Sequence, residues 1–416
     1  MIHPIRARLA TEFDKFNVLS AKTQNLLISY FVQSAANPIL GTFMNAYLWS
    51  IGGDFYAIAV FNLATFISLP LTFFVNGMLL RFISIDMLYT LGSLTLGIDV
   101  LLTILLTKMG IYSYTLFGAI FGVGYGLYWA NRNYLTLKQT KSHNRNYFLG
   151  LNFTLDTLTS IVMPLFIGWF IYFGSRVNLE TYTINALLAF TLLLIAGILV
   201  IKGGHKTPSV DTLFPKDVSK KWHVVRLLTF GIGLLDGLSA FLVSLLVLAG
   251  IGHEGTLGTV DSVTAIFLGI LFYIYGRKAR VHHQKTTYVF SVSIGIVASI
   301  FLLFGVKEAL GVIVFTALYY FSIAFIWLST DPMVMDIMDE EINKKHGNRY
   351  CLVFDRELFL NIGRWLSVGI FISLLSLYGQ RVAVSMAPGI TFLLHFLVML
   401  VVLRALKANS IRGIDN

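Results

Sequence analysis

The sequence predicts an all-α integral membrane protein: 12 transmembrane helices built as two six-helix bundles related by a parallel repeat. Three observations carry this. The 416 residues are 56% hydrophobic and 12% charged, about half the charge of a soluble domain, and the apolar residues fall in runs of about 20 or more, enough to cross a bilayer. Basic residues gather in alternate loops. The second half echoes the first about 200 residues on, the mark of an internal repeat. Asn62 precedes Gly77 and Arg81 at the same spacings with which Asp261 precedes Gly276 and Arg280; Trp129 matches Trp327, and Tyr147 matches Tyr350.

The spans read 24–48, 54–80, 85–107, 111–136, 147–174 and 179–201, then 227–251, 255–276, 287–305, 309–334, 351–378 and 383–403. All must be helical, because lipid satisfies no free backbone group and the runs are too long for barrel strands. The halves are 1–203 and 227–416, joined by a polar, basic linker over 204–226.

Taken in order, span 1 carries Gln33, Asn37 and Asn45, with Pro38 set to kink it mid-membrane beside Asn37. Span 2 holds Asn62 in its outer part and ends near Arg81; span 3 has a lone Asp99. Span 4 is rich in glycine, and Gly118 and Gly122 form a GxxxG pair whose first use is close helix packing. It ends with Tyr125, Trp129, Asn131, Arg132 and Asn133, aromatics and amides suited either to sandwiching an organic molecule or to anchoring at the interface. Span 5 places Asn152, Asp156 and Thr159 on one face, and Pro164 follows.

Span 7, the counterpart of span 1, has Asp236; span 8 has Asp261, matched to Asn62 as a candidate outer gate. Span 10 offers Tyr319, Tyr320, Trp327 and Asp331, then an acidic end. Span 11 is the densest: Asp355 and Arg356 near its start, then Glu357, Asn361 and Arg364 on one face. Arg364 lies roughly 20 Å into the span. An ionisable group that deep costs several kcal/mol on insertion, so it serves a cavity or an ion pair. A guanidinium there fits an anionic group of a solute, or an acid on Glu357 or another helix. His395 on span 12 reads as a helix-helix hydrogen bond.

Nearly all Lys and Arg lie in the loops of the face that carries the termini and linker. The exceptions are Lys108, Arg176, Lys307 and Arg381 opposite, and Arg132, Arg356 and Arg364 within spans. That asymmetry sets both termini in the cytoplasm, in the cell (inner or plasma) membrane. It also disposes of nucleic acid as the partner implied by a net charge of +10. The single cysteine, Cys351, excludes an intramolecular disulfide and a thiolate metal site. No phosphate-binding loop, metal cluster or catalytic triad is visible, so no enzyme, no cofactor and no metal are expected.

With its six-plus-six spans, cytoplasmic termini and basic linker, the chain resembles the major facilitator superfamily along essentially its whole length. The loop after span 2, Gly77-Met-Leu-Leu-Arg81, keeps the glycine and one basic residue of that family's gating motif; Gly276-Arg-Lys-Ala-Arg280 echoes it. The resemblance implies a secondary-active transporter, monomeric in the lipid bilayer, moving a small organic solute by alternating access. A proton is the expected coupling ion. Pro164 and Gly168 match part of a span 5 motif found in exporters, which favours efflux. Solute uptake, lipid-headgroup flipping and a non-transporting sensor stay open.

In that family spans 1, 4, 5, 7, 10 and 11 line the cavity, and the polar residues here fall largely on them. The expected substrate contacts are Asn37, Tyr125, Trp129, Asn152, Trp327, Asn361 and Arg364. Asp156, Asp236 and Glu357 are expected to carry the proton. Asn62, Arg81, Arg132, Asp261, Arg280, Asp331, Asp355 and Arg356 are expected to gate.

Overall fold

A computed structural model describes residues 16–412 apart from 18, 107–109, 140–141, 209, 211, 279–282, 306–307 and 345. Arg280 lies outside the described residues. The described residues form helices and connecting turns without a strand.

Ten helices are long and apolar enough to cross a membrane by length and composition. They include span 2, Phe55–Leu79; span 3, Ile85–Leu105; span 5, Ser142–Ser175; and span 6, Thr181–Gly203. Span 7 is Lys220–Ser239 continued by Leu242–Ile251, and span 8 is Glu254–Lys278. Spans 9 to 12 are His283–Gly305, Ala309–Asn343, Arg349–Tyr378 and Gln380–Arg412. Span 1 (Ala21–Pro38, a π-helical turn Ile39–Phe43, then Met44–Ser50) and span 4 (Ile111–Gln139) complete the twelve. Span 1 is interrupted by its π turn and span 4 is diluted by glycine and tyrosine, so neither stands among the ten.

Side-chain caps start several spans: Ser20, Asp54, Ser84, Ser219 and Asn348 each accept from a backbone N–H three residues on. The linker is pinned to both halves. His205 donates its backbone N–H to Asp86 (2.6 Å) at the start of span 3, while Ser219 bonds Glu341 at the end of span 10. The face of the bundle bearing this segment is the linker face; the other is the far face.

Glycines set the helix crossings. In the first half, a Cβ on Gly118 would lie 2.2 Å from the Phe61 carbonyl oxygen, and one on Gly122 2.3 Å from that of Thr65. The GxxxG pair is therefore the seam between spans 4 and 2, as the packing reading expects. In the second half Gly233 and Gly363 face each other, with a Gly233 Cβ only 2.0 Å from the Leu360 carbonyl oxygen. Between the halves, Gly168 on span 5 meets Gly258 on span 8. Gly233→Ala is expected to force spans 7 and 11 apart and cost about 1–3 kcal/mol, read as a lower thermal midpoint in detergent.

Spans 1 and 7 are both interrupted in matched places. Span 1 widens into a π turn directly after Pro38. Span 7 breaks at Ala240–Phe241 without any proline, a feature its sequence does not announce. The carbonyl freed at Ala240 accepts from Asn45 Nδ2 across the halves at 2.8 Å, and Asn45 also donates to Gly41 O in the π turn. One asparagine thus satisfies both interruptions.

Candidate functional site

A cavity of about 630 Å³ lies between the halves, within the range of small-molecule sites. Asn45 and Asn62 mark its far end, Asn37, Tyr125 and Phe66 its middle, and Asn133 and Asp331 its linker end.

At its core is an ion pair between spans 7 and 11. Arg364 Nε donates to Asp236 Oδ2 at 2.8 Å and Nη2 reaches the same oxygen at 2.5 Å. Nη1 donates to Asn361 Oδ1 at 3.0 Å, and the guanidinium sits 5.1 Å from the Phe66 ring centre. The local sequence produces this directly. Gly233 and Gly363 bring the two helices into contact; Asp236 follows the first by three residues and Arg364 the second by one. Asn361 is fixed in turn by donating to the Glu357 carbonyl at 2.8 Å. The single face read from the sequence is therefore real, but Asp236, not Glu357, is the acid bound to Arg364.

Glu357 lines the cavity and forms no ion pair within 4 Å among the described residues. The acids around it are engaged: Asp331 pairs with Arg356 at 2.5 Å and Asp236 with Arg364.

The matched tryptophans carry a shared device with inverted charge. Arg132 lies 4.7 Å over Trp129 and 3.8 Å from Asp156 on span 5. Arg356 lies 5.4 Å over Trp327 and binds Asp331 on span 10. The cation sits on the fourth helix of one half and on the fifth helix of the other. Trp129 and Trp327 both line the cavity.

Other expected residues fall elsewhere. Asn152 donates to Asp156 at 2.8 Å, and neither is among the residues that line the cavity. Asp355 is buried against the start of span 7, accepting from Trp222 Nε1 at 2.7 Å and Arg226 at 2.7 and 2.9 Å. This clamp ties parts of one half. Arg81 is exposed at the linker face. Asn62 and Asp261 both reach span 1: Asn62 donates to Asn45 at 3.1 Å, and Asp261 accepts from Thr42 at 3.1 Å across the halves.

Contacts not anticipated join the halves. Asn76 donates to the Tyr350 hydroxyl at 2.9 Å, and that hydroxyl donates to Phe73 O at 2.7 Å. Within the first half, Asn76 and Asn131 exchange hydrogen bonds of 2.8 and 3.2 Å. Gly77 beside them has no room for a Cβ, which would lie 2.8 Å from the Tyr350 ring. Trp365 Nε1 donates to Phe66 O at 2.8 Å, midway along spans 11 and 2. The asparagine before the repeated glycine is the one sequence signal for the first of these.

Losing the Asn45 bond should loosen the far-face seal. In Asn45→Ala the ratio of sealed to open forms is expected to fall roughly fivefold, the worth of about 1 kcal/mol for one hydrogen bond. A cysteine at Ser239, on the cavity wall, reports this by faster reaction with an impermeant maleimide. Native Cys351 is buried and leaves the background low.

Residues 25–354 match the family model of the Major Facilitator Superfamily. The chain belongs to that family and is a multi-pass membrane transporter. It is 26% identical over 365 residues to the uncharacterized protein YqgE of Bacillus subtilis (strain 168), covering 86% of this chain and 83% of that one. A Geobacillus stearothermophilus protein described as uncharacterized, in the sodM 3' region, is 37% identical over 131 residues, 31% of this chain and 61% of that one. Among solved structures, the nucleoside transporter NupG superposes with a TM-score of 0.64 at 14% identity, covering 93% of this chain and 99% of that one. The peptide transporter POT does so at 0.63 and 11%, covering 92% and 94%. A bacterial homolog of the human lysosomal transporter Spinster, inward-facing and occupied, gives 0.61 and 12%, covering 92% and 96%. At these identities the likeness is one of fold.

Proposed function

We propose that this protein is a proton-coupled secondary carrier that exports a small organic solute across the cell membrane by alternating access. The observation that carries the reading is Glu357, an ionisable group on the wall of the inter-half cavity with no arginine within 4 Å to neutralise it among the described residues. A carboxylate so placed gains or loses a proton as the cavity changes sides.

The basic loops support a cytoplasmic linker face, with the halves 1–203 and 227–416 rocking as units about the linker. Asn37, Tyr125, Trp129 and Trp327 form the solute's walls, Glu357 carries the proton, and Asp236 with Arg364 keeps spans 7 and 11 together as the cavity re-orients. Asp156, paired with Arg132, is a second proton site. Asn62, Asp261 and Thr42 close the far face; Arg356 with Asp331, and Arg132, close the linker face. The functional unit is a monomer, since the cavity is complete within one chain.

A thermal-shift screen identifies a stabilising solute, and proteoliposomes then measure its flux. Flux that follows the pH gradient is the expected result; equal flux with and without the gradient would sink proton coupling.

A further inference from the structure

We infer that the cavity takes an organic cation, bound at Glu357 in competition with the proton; this rests on the carrier reading above and names its substrate class. The charges lining the cavity do not cancel. Five ionisable acids and bases line the cavity: Asp236, Asp331, Glu357, Arg356 and Arg364. Both arginines are neutralised by carboxylates at 2.5 Å, which leaves one net negative charge, at Glu357. The charged groups facing it are Arg364 and Arg356, which attract, and Asp236 on span 7 and Asp331 on span 10, which repel. From span 4 the phenol of Tyr125 and the ring of Trp129 face the same space.

The arginines already have their counter-charges. Arg364 holds Asp236 through Nε and Nη2 and Asn361 through Nη1. An anionic solute reaching its remaining N–H groups would meet a guanidinium already neutralised and would lie beside the Asp236 and Glu357 carboxylates. An anion as the group met by Arg364, the first expectation from its depth in span 11, therefore fits this site poorly. A cation meets no such obstacle.

The cavity wall is aromatic. Trp129, Trp327 and Phe66 each already hold a guanidinium 4.7, 5.4 and 5.1 Å from the ring centre. Tyr125 and Phe121 also line the cavity and carry no such cation among the described residues. Aromatic faces beside an unpaired carboxylate select a positively charged, partly apolar solute. One carboxylate that holds either the proton or the cation, never both, makes the two exchange for each other, which matches proton-driven export.

The test is binding in detergent, without flux, so that failure of the carrier reading stays separate. Ethidium, a permanent cation, is titrated by fluorescence; phenethylamine, phenylethanol and phenylacetate, one ring with charge +1, 0 and −1, serve as competitors. Ethidium affinity is expected to weaken about tenfold per pH unit once Glu357 is protonated. Glu357→Gln is expected to weaken it by roughly 30-fold or more and to abolish the pH dependence, while Glu357→Asp retains both. Phenethylamine should displace ethidium best. Full affinity in Glu357→Gln with an unchanged thermal midpoint, a pH-independent affinity, or phenylacetate as the strongest competitor overturns the inference. Ethidium binding that obeys these rules, in a protein that gives no flux in liposomes, would instead remove the carrier reading and leave the cation site standing.

Discussion

Arg364→Ala is expected to lower stability by about 3 kcal/mol. The alanine strands Asp236, whose side chain is 24% exposed, between spans 7 and 11. It also removes the donor that orients Asn361 and the cation over Phe66. Asp236→Asn leaves the mirror problem, an arginine 15% exposed with no counter-charge, and is expected to cost a similar amount. The double variant Asp236→Asn/Arg364→Gln loses both charges together and should recover much of the difference. Thermal unfolding of the four proteins in detergent closes the cycle. A pair that matters for stability gives a large favourable coupling. Additive losses would mean that Arg364 and Asp236 act separately and that their contact is incidental.

Glu357→Gln is expected to remove gradient-driven flux while leaving the fold intact. The side chain makes no ion pair among the described residues, and the bond from Asn361 is to its backbone carbonyl, which glutamine keeps. Glutamine preserves shape and hydrogen bonding but neither ionises nor carries a proton. Ethidium accumulation driven by a pH gradient in proteoliposomes should fall to the level of empty liposomes, with the thermal midpoint close to that of the unaltered protein. A variant that keeps gradient-driven accumulation would move coupling away from Glu357, with Asp156 the next acid to examine.

Much of the architecture is legible in the sequence. Apolar runs mark 12 spans, ten of them helices long and apolar enough to cross a membrane by length and composition, because lipid enforces one rule on every residue facing it. The GxxxG seam of span 4 and the interruption at Pro38 also follow from residue type. The partners of the buried charges did not. Four- and three-residue spacing put Glu357, Asn361 and Arg364 on one face, but which neighbour that face meets depends on helix rotation. Rotation is set by the Gly233–Gly363 contact, between residues distant in sequence. The break in span 7 was hidden for a related reason. Ala240-Phe241 carries no helix-breaking signal, and the carbonyl it frees is satisfied by Asn45 from the other half. Asp355 shows the same limit: its position near the membrane edge suggested a gate, whereas Trp222 and Arg226 hold it within one half.

Repetition gave the frame and its failures gave the chemistry. Trp129 and Trp327 recur with a guanidinium over each, yet the carboxylates that bind those guanidiniums sit on the fifth and tenth spans, so cation and acid have exchanged helices between the halves. Glu357 has only Thr154 at the matched place in the first half, so this proposed proton site has no counterpart in the repeat.

The most direct test of proton-coupled exchange is the pH inside proteoliposomes, followed with a trapped dye when ethidium is added outside under no initial gradient. The account predicts that ethidium entry drives protons out and raises the internal pH, at a rate set by ethidium concentration and absent in Glu357→Gln. Ethidium entry with no change in internal pH, matched to wild type by Glu357→Gln, would contradict it.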